Sequence, residues 1–551
     1  MKIFLRQKDD PAMWSRVSFF LTFAVLSIPA LWTVTDYGIV YDEPIYMEDS
    51  WRVLAWAKLP REQMFSQTEL EKAWAAPSLN VHPAGIKWLY IAAQTVVSDA
   101  KNPYIPCRLL TVLLFAACGA LFFSWYFREQ PSLAPLAGFT LLIMPRFFAH
   151  LHFASPDILL TAVFLLLVVL TVTRFWTPGF WLIGIVAGYF LTVKITAVAL
   201  MLPVIFILSF HKPTHLKAFF LRLAGIALLA GGVFFLLNPD WWCHPIERAV
   251  DFLRISLTRS QWAQYSCYFF GQVYTFRGPF YYPIIILLIT TPLYHLITVG
   301  VRLVGFSRRN LHGNIRELVI LAGALTPIFL LMLPFSPTND MERYLLPAFP
   351  FIVCLSVSGL ASLLSRHVSS ARLTAVPPLQ RWAIVGMIIL LALSAVIGLM
   401  IHHPAQLSYF SEVIGGLPGG QRAGFEVTYW WECFNDEVLK QVNRRCAGEP
   451  VLFPMSPSIL YFNHLERLGH LRFIPTLGNR PSRYMFIYGR PQVRFWERII
   501  FPDLERKGIT PKTVWEKLIL GVPLMRLYRL DKSTPGTLPN QSRPPTPTVT
   551  D

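Results

Sequence analysis

The sequence predicts an α-helical, polytopic membrane protein with a small α/β domain at its C-terminal end. Three observations predict it. The 551 residues are 54% hydrophobic and 15% charged. The apolar residues fall in blocks of about 17 to 25, the length that crosses a hydrocarbon core of about 30 Å. After His403 these blocks stop, and strand-like runs alternate with helical ones.

The charged N-terminus MKIFLRQKDD precedes about twenty apolar residues without a small-residue cleavage site, which reads as a retained first span rather than a removed signal peptide. Apolar blocks begin near Arg16, Pro106, Ser132, Asp157, Leu216, Tyr281, Glu317, Tyr344 and Trp382. The stretch FWLIGIVAGYFLTVKITAVALMLPVIFILSF would run ~46 Å as one helix and bury Lys194 at its middle. It is therefore read as two short helices with Lys194 at the turn. PAGIKWLYIAAQTVVS is short and carries Lys87; as a span it would turn the Arg302–Arg316 and Arg366–Arg381 loops outward, against the positive-inside rule.

About eleven spans result, with the N-terminus inside and the C-terminus outside. The expected organisation is a membrane domain over residues 1–402, an extracytoplasmic α/β domain over 403–531 and a disordered Pro/Thr/Ser-rich tail over 532–551. The membrane domain carries a first external loop at 36–105 and a second large one at 238–279. Strands are expected at Pro450–Pro454, Arg472–Pro475, Tyr484–Tyr488 and Val522–Leu530.

The formal net charge of +17 lies mainly in short inter-span loops and the tail, so topology accounts for much of it and no nucleic-acid partner is expected. Seven cysteines without a CxxC spacing argue against a zinc or disulfide framework. Cys243 and Cys267 share one loop, and a pair between them is left open.

The chemistry-bearing residues gather on the external face. YDEP places Asp42 and Glu43 directly after the first span, within a run that also holds Asp36, Glu48 and Asp49. Asp157 opens another span after HLHFASP. Lys87, Arg108, Arg146, Lys194 and Arg343 stand at the outer ends of apolar segments. Sugar transfer from a lipid phosphate needs a carboxylate for the acceptor's proton, cations for the departing phosphate and an apolar groove for the prenyl chain. The bland readings are that cations at helix ends snorkel and that Asp157 caps its helix. His150, His152 and Asp157 have donor types suited to a divalent metal, but only on extended backbone; no cofactor is expected.

YDEP, HPAGIK, Arg108, PRFFAHLHFASPD, the Lys-centred TVKIT and RYLLPAFP, in this order over about residues 16 to 365, resemble the GT-C glycosyltransferases of the protein O-mannosyltransferase and aminoarabinose transferase superfamily. HPAGIK stands where HPPL-x-K is commoner. SYFSEVIGGLPGGQRAGFEVTYWWECF looks like the segment after the last span in many bacterial members. The resemblance implies an inverting membrane glycosyltransferase of the plasma (inner) membrane, using a polyprenyl-phosphate-linked sugar donor on the outer face, with the acceptor unassigned. It puts catalytic roles on Asp42, Glu43 and Asp157, and phosphate contacts on Lys87, Arg108, Lys194 and Arg343. The alternative is a transporter or lipid-handling protein without chemistry. That reading expects mid-membrane charges and repeat symmetry, and the sequence displays neither.

Overall fold

A computed structural model describes residues 11–74, 84–98, 100–194, 196–209, 216–258, 261, 266–305, 315–369, 378–454, 458–477, 482–489 and 500–532. His82 and Pro83 of HPAGIK, part of the basic loop after Arg302 and the tail from 533 lie outside the described residues.

The chain is mostly helical, and all of the apolar blocks are helices. Six are long and apolar enough to cross a membrane: Met13–Trp32, Tyr104–Tyr126, Pro156–Arg174, Lys217–Leu237, Ile315–Met332 and Arg343–Leu364. Two more expected spans are bent pairs, Leu133–Leu142 with Pro145–Leu151 at 90° and Tyr282–Thr290 with Leu293–Val304 at 116°. Each bend precedes a proline, and the residue before it, Met144 or Thr291, is extended; a proline's Cδ disfavours helical backbone there. The remaining expected spans are the shorter apolar helices Pro178–Val193, Thr196–Leu208 and Gly386–Ile401. The described residues thus hold six to eight candidate spans, and the expected count of eleven is not confirmed.

Lys194 is extended, with φ −158° and ψ 146°, and separates Trp181–Val193 from Thr196–Ser209. The long apolar stretch is therefore broken at Lys194, as its length requires. The disputed PAGIK segment forms the 12-residue helix Gly85–Val96. It packs beside helix Glu43–Trp56, which begins with Pro44 in its first turn; a proline costs nothing there because its missing N–H has no helical partner.

Two sheets accompany the helices. Strands β1 (Ser266–Phe269) and β2 (Gln272–Thr275) form a hairpin in the second large loop that hydrophobic pattern had not suggested. The larger sheet has the order β4-β3-β5-β7-β6, with β3 Pro450–Phe453, β4 Ile474–Leu477, β5 Tyr484–Tyr488, β6 Ile509–Ile519 and β7 Val522–Lys532. β3 runs parallel to β4 and β5, whereas β5 and β6 pair antiparallel with β7. Strand β6 was not expected. Its register with β7 shifts twice, which breaks the two-residue alternation that sequence patterning detects. Leu520 and Gly521, both at positive φ, make the two-residue turn between them.

The segment between the last apolar helix and this sheet is threaded into the helical part. Gly38 N–H donates to the Glu432 carbonyl at 2.7 Å and Tyr41 N–H to the Trp430 carbonyl at 3.1 Å. Glycine is required at 38 because a Cβ would lie 2.5 Å from the Phe434 carbonyl oxygen. The first loop and the YWWECF segment are thereby fixed to one another. Cys243 is exposed and Cys267 buried, and both are free thiols, so the open disulfide question resolves against a pair.

Candidate active site

The five acids of the first-loop run each take a different partner. Asp36 meets His403 at 2.8 Å, and Glu48 meets His464 at 3.0 Å and Arg467 at 2.6 Å. Asp49 pairs with Arg52 and lies 3.7 Å from the Lys87 ammonium. Glu43 grips Arg108, which donates from Nε at 2.9 Å and from Nη2 at 2.6 Å. Asp42 alone of the five reaches Arg343, at 2.7 Å. Asp36, Glu43 and Glu48 therefore lock the loop to other parts of the chain, Asp49 pairs within the loop, and Asp42 enters a shared cluster.

Arg343 is the centre of that cluster. It follows a turn in which Asp340 and Met341 have φ of 60° and 50°, a conformation that costs non-glycine residues about 1–3 kcal/mol each and gathers at functional sites. From there the guanidinium donates through Nη2 to Asp42, through Nε to Asp157 at 2.7 Å and through Nη1 to Asp340 at 3.1 Å. Its flat face lies 4.1 Å from the centre of the Trp430 ring. Lys194 pairs with the other Asp157 oxygen and sits 4.6 Å from the centre of the Tyr344 ring. Asp157 does not cap its helix; Ser155 holds the N-cap position, and the Asp157 carboxylate bridges two cations.

Asp42, Asp157, Lys194 and Arg343, four of the seven expected site residues, thus come together. The other three do not join them. Glu43 is fully buried and also accepts the N–H groups of Val40 at 3.0 Å and Ala154 at 3.2 Å. Arg108 spends its remaining donors on the Tyr37 and Gly38 carbonyls. A carboxylate and guanidinium so enclosed and so fully bonded make a buried ion pair apart from the Arg343 cluster. Lys87 is likewise buried, donating to the Trp74 carbonyl at 2.5 Å. Burial holds its ammonium below the usual lysine range, with Asp49 acting against that shift.

A second buried group backs onto the first. Glu342, next to Arg343, is held by Arg146 Nη1 at 2.6 Å, the Tyr429 hydroxyl at 3.0 Å and His150 Nε2 at 3.3 Å. The His150 ring lies 5.4 Å from that of Trp430, so this group supports the face on which Arg343 rests. Asp340, Glu342, Tyr429 and Trp430 were not among the expected site residues. The signal available was that SPTNDMERY and YWWECF both interrupt or follow apolar blocks with packed acids and aromatics.

The metal reading does not fit. His150 is bonded to Glu342 and Tyr429, His152 to the Thr33 hydroxyl at 2.8 Å and the Phe148 carbonyl at 2.7 Å, and Asp157 to its two cations. Among the described residues no group of three or more His, Cys, Asp or Glu could hold a metal ion. A cavity of about 270 Å³ opens elsewhere, at the far ends of the helices that carry Arg108 and Arg343, lined by Tyr126, Arg302, Arg316, Glu317 and Ser358 among others. It contains none of the cluster residues.

No family model matches the sequence, and no curated protein does. Among solved structures the chain is similar to ArnT from Cupriavidus metallidurans. In the apo state the identity is 12% and the TM-score 0.47, covering 94% of this chain and 97% of that one. Bound to undecaprenyl phosphate the values are 13% and 0.45, covering 95% and 99%. An oligosaccharyltransferase from Archaeoglobus fulgidus in the apo form follows at 11% and 0.44, covering 87% and 65%. Likeness at this level assigns no residue a role.

Proposed function

We propose that this protein is a membrane glycosyltransferase that moves a sugar from a polyprenyl-phosphate donor to an acceptor on the outer face of the plasma membrane. The observation that carries this reading is the meeting of Asp42, Asp157, Lys194 and Arg343. They come from separate segments: Asp157, Lys194 and Arg343 stand at ends of apolar helices, where a lipid's headgroup would lie, and Asp42 at the start of the loop helix Glu43–Trp56. Asp42 is the base: it takes the acceptor's proton as the acceptor attacks the anomeric carbon. Arg343 and Lys194 hold the phosphate as the bond from anomeric carbon to phosphate oxygen breaks. Attack opposite the leaving phosphate inverts the anomeric centre. Asp157 positions both cations. The sheet of β3 to β7 belongs to the outer side in this reading, and the YWWECF segment before it completes the site.

The test is transfer of radiolabelled sugar from polyprenyl phosphate by purified protein in detergent. Mass spectrometry of envelope lipids, glycans and glycoproteins from a deletion strain would name the sugar and acceptor. Asp42→Asn should lose about 10²- to 10⁴-fold in rate, the usual contribution of a positioned base. Full activity in folded Asp42→Asn would remove the base assignment.

A further inference from the structure

Three carboxylates and two cations make up the cluster. By charge alone, Asp42, Asp157 and Asp340 exceed Arg343 and Lys194 by one. A phosphate approaching these cations meets donors already committed to carboxylates and a local charge of its own sign, and like charges so close disfavour each other. Binding therefore calls for an exchange in which one carboxylate gives up its place on Arg343.

The three ties differ in how easily they can be given up. Asp157 is 3% exposed and also held by Lys194. Asp340 is 11% exposed, joined to Arg343 within the same turn and bonded by the Asn339 amide at 3.0 Å. Asp42 is 20% exposed, the rim member of the set. It stands at the start of helix Glu43–Trp56, where its side chain makes no capping bond. Releasing it costs a single charged pair at the edge of the site, and water can receive it.

We propose that the donor's phosphate binds by taking the place of Asp42 on Arg343, so that the base is freed only when the donor is bound. This rests on the glycosyltransferase reading above. While paired with the guanidinium, Asp42 has its carboxylate oxygen taken up by the Arg343 Nη2 bond at 2.7 Å and turned from an acceptor. Once displaced, it is free beside the phosphate to take the acceptor hydroxyl or amine proton. The acceptor atom then bonds to the anomeric carbon, and the polyprenyl phosphate leaves with the electron pair onto Arg343 and Lys194. The order of events follows: donor first, then acceptor. Without a donor no base is available, which also guards against idle chemistry.

The experiment is equilibrium binding of undecaprenyl phosphate to the purified full chain in detergent, by titration calorimetry. It compares wild type with Asp42→Asn, Asp42→Ser and Asp340→Asn, each checked for folding by thermal melt. Asn and Ser both suit the start of a helix. Removing the competing charge-assisted bond at position 42 should tighten binding by about tenfold even though transfer is lost, and Asp340→Asn should tighten it far less. Unchanged or weaker binding in both position-42 variants overturns the exchange, as does equal tightening in Asp340→Asn, which would reflect net charge only. In those cases wild-type binding and transfer leave the glycosyltransferase reading standing. A wild type that neither binds the lipid nor transfers sugar removes both.

Discussion

The guanidinium of Arg343 rests on the indole face of Trp430, 4.1 Å from guanidinium carbon to ring centre, although 87 positions separate the two residues in the chain. Cation–π contacts of this kind contribute about 0.5–2 kcal/mol, more when desolvated. Trp430→Leu removes the face and lets Arg343 shift, so donor KM should rise with catalytic efficiency about tenfold lower. Trp430→Phe keeps an aromatic face and should recover most of the loss. Steady-state kinetics on folded variants would check this, and equal kinetics in Leu and Phe would make the ring a packing element only.

Lys194 interrupts an apolar stretch where any lysine must be accommodated, and the helix break at that residue does so. Its bond to Asp157 goes further than snorkelling requires. Lys194→Met should lower kcat/KM by about 10²-fold, the scale of losing one donor to developing charge, in protein that still binds detergent and melts cooperatively. Kinetics matching wild type would return Lys194 to a helix-end role.

Glu43 and Arg108 should behave as a structural pair. Glu43→Gln leaves a buried guanidinium without its counter-charge, a loss of about 3–5 kcal/mol. Yield and melting temperature should fall, and activity per folded molecule should stay near wild type. The double variant Glu43→Met with Arg108→Leu should lose less than the two single variants together, because neither charge is then stranded. A fall in kcat without a fall in stability would restore Glu43 to the chemistry.

Glu432 offers a pH test. It is fully buried, accepting bonds from Thr428 at 3.0 Å and Tyr488 at 3.1 Å, and burial pushes its carboxyl above the usual value of 4.5. A carboxyl whose folded pKa is raised holds its proton more tightly when folded, so its contribution to stability is present below 4.5 and is lost as pH rises through the folded value. Glu432→Gln should therefore melt higher than wild type near pH 7, and the gap should close as pH falls toward 4.5. A gap constant with pH would tie the effect to packing instead.

Topology can be read with thiols. Cys243 is exposed and Cys433 buried, so Cys243 is the reporter for the loop expected outside. An impermeant maleimide should label it in intact spheroplasts. In a Cys243→Ser background, Arg128→Cys should label only after lysis. The reverse pattern would invert the orientation.

The sequence by itself determined the apolar helices and the break at Lys194, though not the bends before Pro145 and Pro292. Apolar block length and the need to keep Lys194 out of hydrocarbon are local requirements, satisfied within a segment whatever it packs against. Strands β3, β5 and β7 were legible for the same reason, and β4 was legible within two residues. The site was legible only as a set of candidates on one face. Asp42 and Glu43 are adjacent and alike in sequence, yet one meets Arg343 and the other is sealed against Arg108. Lys87 and Lys194 looked equivalent until one met the Trp74 carbonyl and the other met Asp157. Which partner a charged side chain finds depends on where distant segments cross, and a buried charge must be paired wherever it lands. That requirement made every one of these residues look functional in the sequence. Only the tertiary structure decided which pairs are sealed in the interior and which one, Asp42 with Arg343, lies at the rim of a shared cluster.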